Sequence, residues 1–331
     1  MDTVSHLLLG ASLAGAACVH PQVAERPNLF FAVLTATLIS SHAPDFDAIT
    51  RLRSYAAYLR HHRGITHAVP AWFVWPIAIA LPVSMLFAVW GDWPIVMLYS
   101  WLAVMIHVGL DWLNAYGVQA AKPFSSKWHH ADVLCLFDPF LFAIHLVGII
   151  SWLWMTRADA AWLFVLGYLV SVLYIIWRWR VHQRLLSRLK EQFSSGIHHQ
   201  LIPEVTWLSW QYVVEYEQHY ETGWIRHRSP LRILSDVSFD KHCLYTKNFI
   251  DDHVLEHART TDGVRAFLGF AERVIVSSQR WRNGYKIIWH DVRFWHRKGL
   301  PFGVEVELDE QLRVVNTKVG WSKREWEPPY V

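Results

Sequence analysis

The residues best suited to chemistry are histidines and aspartates gathered in three short motifs. HAPDFD carries His42, Asp45 and Asp47; RHHRGITH carries Arg60, His61, His62, Arg63 and His67; HVGLDWLNAYG carries His107 and Asp111. Neutral imidazole and carboxylate are ligands for divalent cations, and such a cation can activate water for hydrolysis. The spacing of His107 and Asp111 matters most, because residues four apart on an α-helix lie on one face, one turn apart, where both can reach one ion. The plain alternative for that pair is a hydrogen bond that ties helices together.

These motifs must be positioned by apolar segments. Charged residues make up only 18% of the 331-residue chain, and they cluster at a few points of the first half and throughout the last third, as in a membrane part with a soluble appendage. Segments 7–19 and 29–41 are apolar but shorter than the ~20 residues that a spanning helix needs, so they read as short or tilted spans or a re-entrant hairpin. Segments 68–90, 93–116, 139–155 and 160–177 are stronger spans. The expected architecture is an α-helical integral membrane domain of about six helices, or four spans plus a helical hairpin. Trp72, Trp75, Trp90, Trp93, Trp152, Trp154, Trp177 and Trp179 stand near ends of apolar runs, where amphipathic rings favour the headgroup level.

Loop charge orients the chain. Arg51, Arg53, Arg60 and Arg63 lie in one loop, Lys122 and Lys127 in another, and Arg178, Arg180, Arg184, Arg188 and Lys190 follow the last span. With alternating spans these fall on one side, which the positive-inside rule makes cytoplasmic, and both termini with it. His6, His42, Asp45, Asp47, His67, His107 and Asp111 then all lie at the cytoplasmic ends or in the cytoplasmic halves of their segments. An ionisable group within a span is costly, so this convergence points to a site and away from scattered polarity.

Beyond about residue 180 the sequence becomes that of a soluble protein. A basic amphipathic helix is expected at 179–193, and Val304, Val306 and Leu308 then alternate with Glu305, Glu307 and Asp309 in the period-two pattern of a strand. Segments 273–276, 285–295 and 312–319 are rich in β-branched and aromatic residues, with turns expected at Asn283-Gly284 and 309–311 and helix around 251–270. The domain reading is therefore 1–178 for the membrane domain, 179–197 for the connector helix and 198–331 for a cytoplasmic, mainly antiparallel β (α+β) domain.

Other features carry less. Cys18, Cys135 and Cys243 fit neither a zinc ribbon nor a disulfide framework. The stretch ending at Cys18 lacks the positive n-region of a cleaved signal, having only Asp2 and His6 before the apolar run. Asp138 and Pro139 read as the N-cap and first residue of a helix, and His145 as a core histidine. A net charge of +3 gives no reason to expect nucleic acid.

The set of motifs resembles the YdjM/YfhP family of bacterial inner-membrane proteins, over roughly 1–177 and on into a soluble tail: MDTVSH at the start, then HAPDFD, HHRGITH, HVGLDWLNAYG and the later FDP. The resemblance implies a metal-dependent hydrolase of the bacterial cytoplasmic membrane. More distantly, the order His6, Asp45, His67, His107, Asp111 is similar to that of zinc-dependent phospholipases C and related single-strand nucleases, which hydrolyse phosphoesters. Their downstream HxxxE element has no clear counterpart, which argues against a full trinuclear site.

The expected metal ligands are His6, His42, Asp45, His67, His107 and Asp111, with Asp47 as base or as the carboxylate behind a ligating imidazole. Arg60, Arg63, His61 and His62 are candidates for binding an anionic substrate, the arginines serving equally well as the positive-inside signal. The metal is zinc, or manganese or iron. The substrate is a lipid or another phosphoester met at the cytoplasmic face. The competing readings are a non-catalytic membrane anchor and sensor whose tail recruits a protein partner, and a transporter, against which stands the lack of inverted repeats or broken mid-membrane helices.

Overall fold

The computed structural model describes residues 1–226, 232–244, 252–296 and 299–322. The chain divides into two compact units. One holds Met1–Asp47 and Arg63–His182; the other holds Ala48–His62 and the described residues from Gln183 to Ser322.

In the first unit the helices are α1 (Thr3–Ala17), α2 (Pro21–Glu25) and α3 (Pro27–Ser40), and a 3₁₀ segment (Ala43–Leu52) leads out of it to α4 (Tyr55–His61) of the second unit. The chain returns through a short 3₁₀ turn (Ile65–His67) to α5 (Ala71–Leu86), α6 (Trp93–Trp112), α7 (Pro139–Trp152) and the long α8 (Arg157–Gln192). Small residues let α1, α3, α5 and α6 approach closely around a core that includes Ala14, Ala17, Val33, Ala36, Ala80, Val83 and Ala103. Gly10 shows how close: a Cβ there would lie 2.5 Å from the hydroxyl of Ser41 at the end of α3. Ser40 Oγ and Ser100 Oγ, 2.5 Å apart, join α3 to α6.

Among the described residues two helical stretches are long and apolar enough to cross a membrane, Trp90–Trp112 and Arg157–Gln192, and up to four spans result if each of two bent helix pairs counts as one. Helices α1 and α7, with 15 and 14 residues, are shorter than a span. The expected end of a span near residue 177 and restart as a connector helix at 179 do not appear. Helix α8 runs through both without a break, since the change there is one of side-chain polarity and no Pro or Gly interrupts the backbone between Gly167 and Gln192.

The second unit holds two sheets. Strands β1 (His198–Pro203), β2 (Ser209–Glu215), β3 (His219–Arg226) and β4 (Arg232–Asp240) form an antiparallel meander in that order. After β5 (His242–Leu244) come α9 (Asp252–Arg259) and α10 (Asp262–Leu268), then β6 (Val274–Arg280), β7 (Gly284–Asp291), β8 (Phe302–Asp309) and β9 (Val314–Trp321). The second sheet has the order β5-β6-β7-β8-β9, parallel between β5 and β6 and antiparallel elsewhere. The alternation expected at Val304, Val306 and Leu308 is real: all three are buried on β8. The mainly antiparallel α+β tail is thus present, with helix starting at Asp252 among the described residues. What the sequence did not announce is α4, whose Ala56, Ala57, Tyr58 and Leu59 are buried and which packs against α10 and β9 within this unit.

Candidate metal centre

Four side chains of the first unit converge. One ligand atom each from Asp45, His67, His107 and Asp111 lies within 4.8 Å of the others. Asp45 stands on the 3₁₀ segment after α3, His67 on the turn before α5, and His107 and Asp111 one turn apart on α6. His67, His107 and Asp111 are fully buried.

Both imidazoles are held from behind. His107 Nδ1 lies 2.7 Å from the carbonyl of Ser41, which can only accept, so Nδ1 carries the proton and Nε2 presents a lone pair. His67 Nδ1 lies 3.1 Å from Thr66 Oγ1. That hydroxyl donates its one proton to Asp47 Oδ2 at 2.6 Å, so it accepts from His67 Nδ1, and Nε2 again faces the centre. The two Nε2 atoms are 3.3 Å apart. Two unprotonated nitrogens would repel there, so the pair shares either a proton or a metal cation.

The remaining separations agree. Asp111 Oδ2 is 3.3 Å from His67 Nε2 and 3.6 Å from His107 Nε2, and Asp45 Oδ1 is 3.6 Å from each. The edges of a tetrahedron with ~2.0–2.2 Å metal-ligand bonds are roughly 3.3–3.6 Å long. Asp111 Oδ2 is buried and receives no hydrogen bond among the described residues. The donor set, its spacing and this carboxylate oxygen left for a cation all fit a tetrahedral divalent metal.

Asp111 is oriented through its other oxygen. Oδ1 takes the Arg63 guanidinium at 3.0 Å, lies 3.4 Å from His6 Nε2 and contacts the terminal nitrogen of Met1. Arg63 is buried, with φ of 57°, and its second nitrogen donates to Asn114 Oδ1 at 3.0 Å. Asn114 also accepts from the amides of Tyr116 and Gly117, which closes the turn after α6.

The residues singled out in the sequence therefore take different places. Asp45, His67, His107 and Asp111 meet at one point. His6, on α1, stacks on the His107 ring at 3.8 Å and faces Asp111 Oδ1, outside the four-donor group. His42 also lies outside that group, its ring edge-on to Phe46 at 5.9 Å. Asp47 sits behind His67, accepting from Thr66 and from the amide of Arg63. Arg63, a candidate for binding an anionic substrate, is engaged by Asp111 and Asn114. Arg60, His61 and His62 belong to the second unit: Arg60 pairs with Asp262, His61 Nδ1 lies 2.8 Å from the carbonyl of Ala57, and His62 stacks on Tyr58 at 4.5 Å. Sequence reasoning passed over Thr66 and Asn114, although both stand inside the motifs, because a hydroxyl one residue from a ligand, or an amide three residues from one, has no periodic signature of its own.

Residues 1–185 match the family described as YdjM inner membrane protein, and residues 253–327 match the YfhP C-terminal alpha/beta plait domain. The chain belongs to the YdjM inner-membrane protein family. It is a membrane protein. It is similar, with 30% identity over 327 residues, to the uncharacterized protein YfhP of Bacillus subtilis (strain 168), covering 97% of this chain and 95% of that one. No solved structure matches it. Three of the motifs that carry the resemblance, HAPDFD, HHRGITH and HVGLDWLNAYG, build the four-donor cluster, so this YdjM-family chain has a buried His/Asp group suited to a metal ion.

Proposed function

We propose that this protein is a membrane-bound metal-dependent hydrolase acting on a lipid or phosphoester at the cytoplasmic face. The observation that carries the reading is the spacing of four donors at the edges of a metal tetrahedron, with both imidazoles aimed by back-side hydrogen bonds. Asp45, His67, His107 and Asp111 would hold the ion, zinc by preference for an imidazole-containing site, or manganese or iron. A divalent cation there supplies Lewis acidity, activating water and drawing charge from the scissile phosphoryl or acyl oxygen.

The other side chains have roles of their own. Asp47, through Thr66, fixes the His67 tautomer, which supports a positioning role over that of proton acceptor. Arg63 holds Asp111 with one oxygen turned to the centre and offsets part of its charge. His6, its two ring nitrogens accepting and donating no hydrogen bond among the described residues, is the imidazole that faces Asp111 Oδ1, at 3.4 Å, and would be the group to move a proton there. The cytoplasmic placement of both termini belongs to the same proposal and rests on the one-sided loop charge; the change from apolar to basic side chains near residue 178 marks the end of the membrane part within the continuous α8.

Metal analysis of the detergent-purified protein tests the site. Wild type should retain close to one equivalent of metal after dialysis, and His107→Ala and Asp111→Ala should lose it while staying monodisperse. Hydrolysis of a phosphoester and carboxyl-ester lipid panel tests the reaction. Retained metal with no turnover on the panel would favour the anchor and sensor reading, and a metal-free wild type would end both metal readings.

A further inference from the structure

One face of helix α8 changes its chemistry once along its length. Leu169, Leu173 and Ile176 are exposed there, and Arg180, Arg184 and Arg188 continue the same face, also exposed. Each step is three or four residues, so these side chains stand one turn above another. The adjoining face is closed: Val181, Leu185 and Leu189 are buried, and the buried Arg178 donates to the carbonyl of Val133 at 3.3 Å. The guanidinium groups of Arg180, Arg184 and Arg188, by contrast, make no hydrogen bond or ion pair among the described residues.

Tryptophans mark where this face leaves the hydrocarbon. Each of the two stretches long and apolar enough to span a membrane carries one, Trp112 on α6 and Trp179 on α8, and their partly exposed rings lie 5.8 Å apart. Such amphipathic rings favour the headgroup level. The headgroup layer is about 5–7 Å deep on each side of the hydrocarbon. Arg180 therefore stands at the base of that layer and Arg184, roughly 6 Å further out, near its top, whereas Arg188 is roughly 12 Å out and beyond it. This level is the same for either orientation of the chain. The positive-inside signal accounts for the presence of arginines but counts cations on every face. It does not require unpaired ones in line above an exposed apolar stripe.

We infer that Arg180 and Arg184 bind an anionic phospholipid, its phosphodiester between the two guanidinium groups and its acyl chains along Leu169, Leu173 and Ile176. The guanidinium fork of N–H donors matches phosphate oxygens in geometry and charge. A zwitterionic headgroup would bring its own cation to the pair, and a free anion would leave the apolar stripe below unused. The inference does not depend on the reaction proposed above, because none of these residues belongs to the four-donor cluster.

The test keeps the full-length protein in a bilayer, where depth counts. In phosphatidylcholine nanodiscs it is irradiated with a trace of phosphatidylglycerol, or of phosphatidylcholine, carrying a diazirine near the top of one acyl chain, and the labelled peptic peptides are mapped by mass spectrometry. Labelling of 169–184 should favour phosphatidylglycerol about 30-fold, the factor that two cations at an anionic headgroup give. Arg180→Gln and Arg184→Gln should each lower that preference about fivefold. Lys190→Gln removes the same charge roughly 15 Å along the helix from Arg180, beyond the screening length, and should lower it less than about twofold. If one arginine variant fails to fold, the other and the wild-type preference still decide. Equal labelling by the two lipids, or an equal loss in Lys190→Gln, would leave only a diffuse topology signal and overturn the inference. Displacement of the labelled lipid by a short single-stranded DNA would assign the stripe to nucleic acid and overturn it as well.

Discussion

Thr66 is the residue through which the metal reading is most exposed to test. Its hydroxyl is the link between the Asp47 carboxylate and the His67 ring, and removing it leaves His67 free to adopt the other tautomer. Thr66→Val keeps the shape of the side chain and deletes the link. Outer partners of metal-ligating histidines contribute roughly 10–100-fold in affinity. Thr66→Val should therefore weaken zinc binding by about that factor in a chelator competition, while Thr66→Ser, which restores the hydroxyl, returns it to within a few-fold. Equal affinity in all three would show that the Asp47 relay does not position His67.

At the scale of elements, Asp138 joins two helices. Its Oδ1 caps α7 by accepting from the amides of Phe140 and Leu141, and its Oδ2 accepts from the Tyr174 hydroxyl of α8 at 2.9 Å. A cap contributes ~1 kcal/mol and a second buried hydrogen bond about as much, so Asp138→Ala should cost about 2 kcal/mol, seen as a lower unfolding midpoint in detergent. Tyr174→Phe should recover the cap but not the bond and fall between. The cap was legible in the sequence because Asp-Pro at a helix start is a local signal; the bond to Tyr174 was not, because it joins positions 36 apart. The same distinction runs through the site. His107 and Asp111 share one turn of α6, so their partnership could be read from periodicity. Asp45 and His67 could be expected near them only from motif and topology, and the separation of His42 and His6 from the four-donor group depends on ring orientation, which sequence spacing leaves open. Strand alternation in β8 was legible for the same local reason, whereas the continuity of α8 was hidden by its change from apolar to basic side chains at a point where the backbone does not change.

At the scale of the whole molecule, the second unit carries a pH dependence of its own. In the second unit His290, on β7, is held below its ordinary value of 6.5 by burial. The folded state thus prefers the neutral ring while the unfolded chain takes up a proton near pH 6.5. This contribution is fully present above about pH 6.5 and is lost as the pH falls below it. The unfolding midpoint of the unit should drop on going from pH 7.5 to 5.5, and His290→Gln, if folded, should reduce that dependence. An unchanged slope in the variant would place the pH dependence elsewhere.

The larger consequence concerns what that unit consists of. The linker between HAPDFD and RHHRGITH reads as an arginine-rich loop, yet Ala48–His62 folds with the distant tail and its ends lead directly to Asp47 and Arg63. Helix α4 has only seven residues, too few to show a period, and its partners lie some 200 positions later, as in the pairing of Arg60 with Asp262. Tyr58 and Leu59 are buried there. Tyr55 lies against Gly320, where a Cβ would come within 2.8 Å of the ring and the backbone has φ of 113°. A fragment beginning at Ser194 lacks this helix and leaves the faces of α10 and β9 that it covers open to water. Burial of two such side chains contributes about 3–6 kcal/mol at ~1.5–3 kcal/mol each, an upper range because the unfolded chain already hides part of that surface. The fragment should therefore unfold at lower urea than the same fragment with 48–62 fused to it by a flexible linker, and should self-associate more. Asp262→Ala in the fused form tests the exposed ion pair alone and should move the midpoint little, since such pairs contribute at most ~1 kcal/mol. Equal midpoints for the fragments with and without 48–62 would show that α4 is carried by the tail without supporting it.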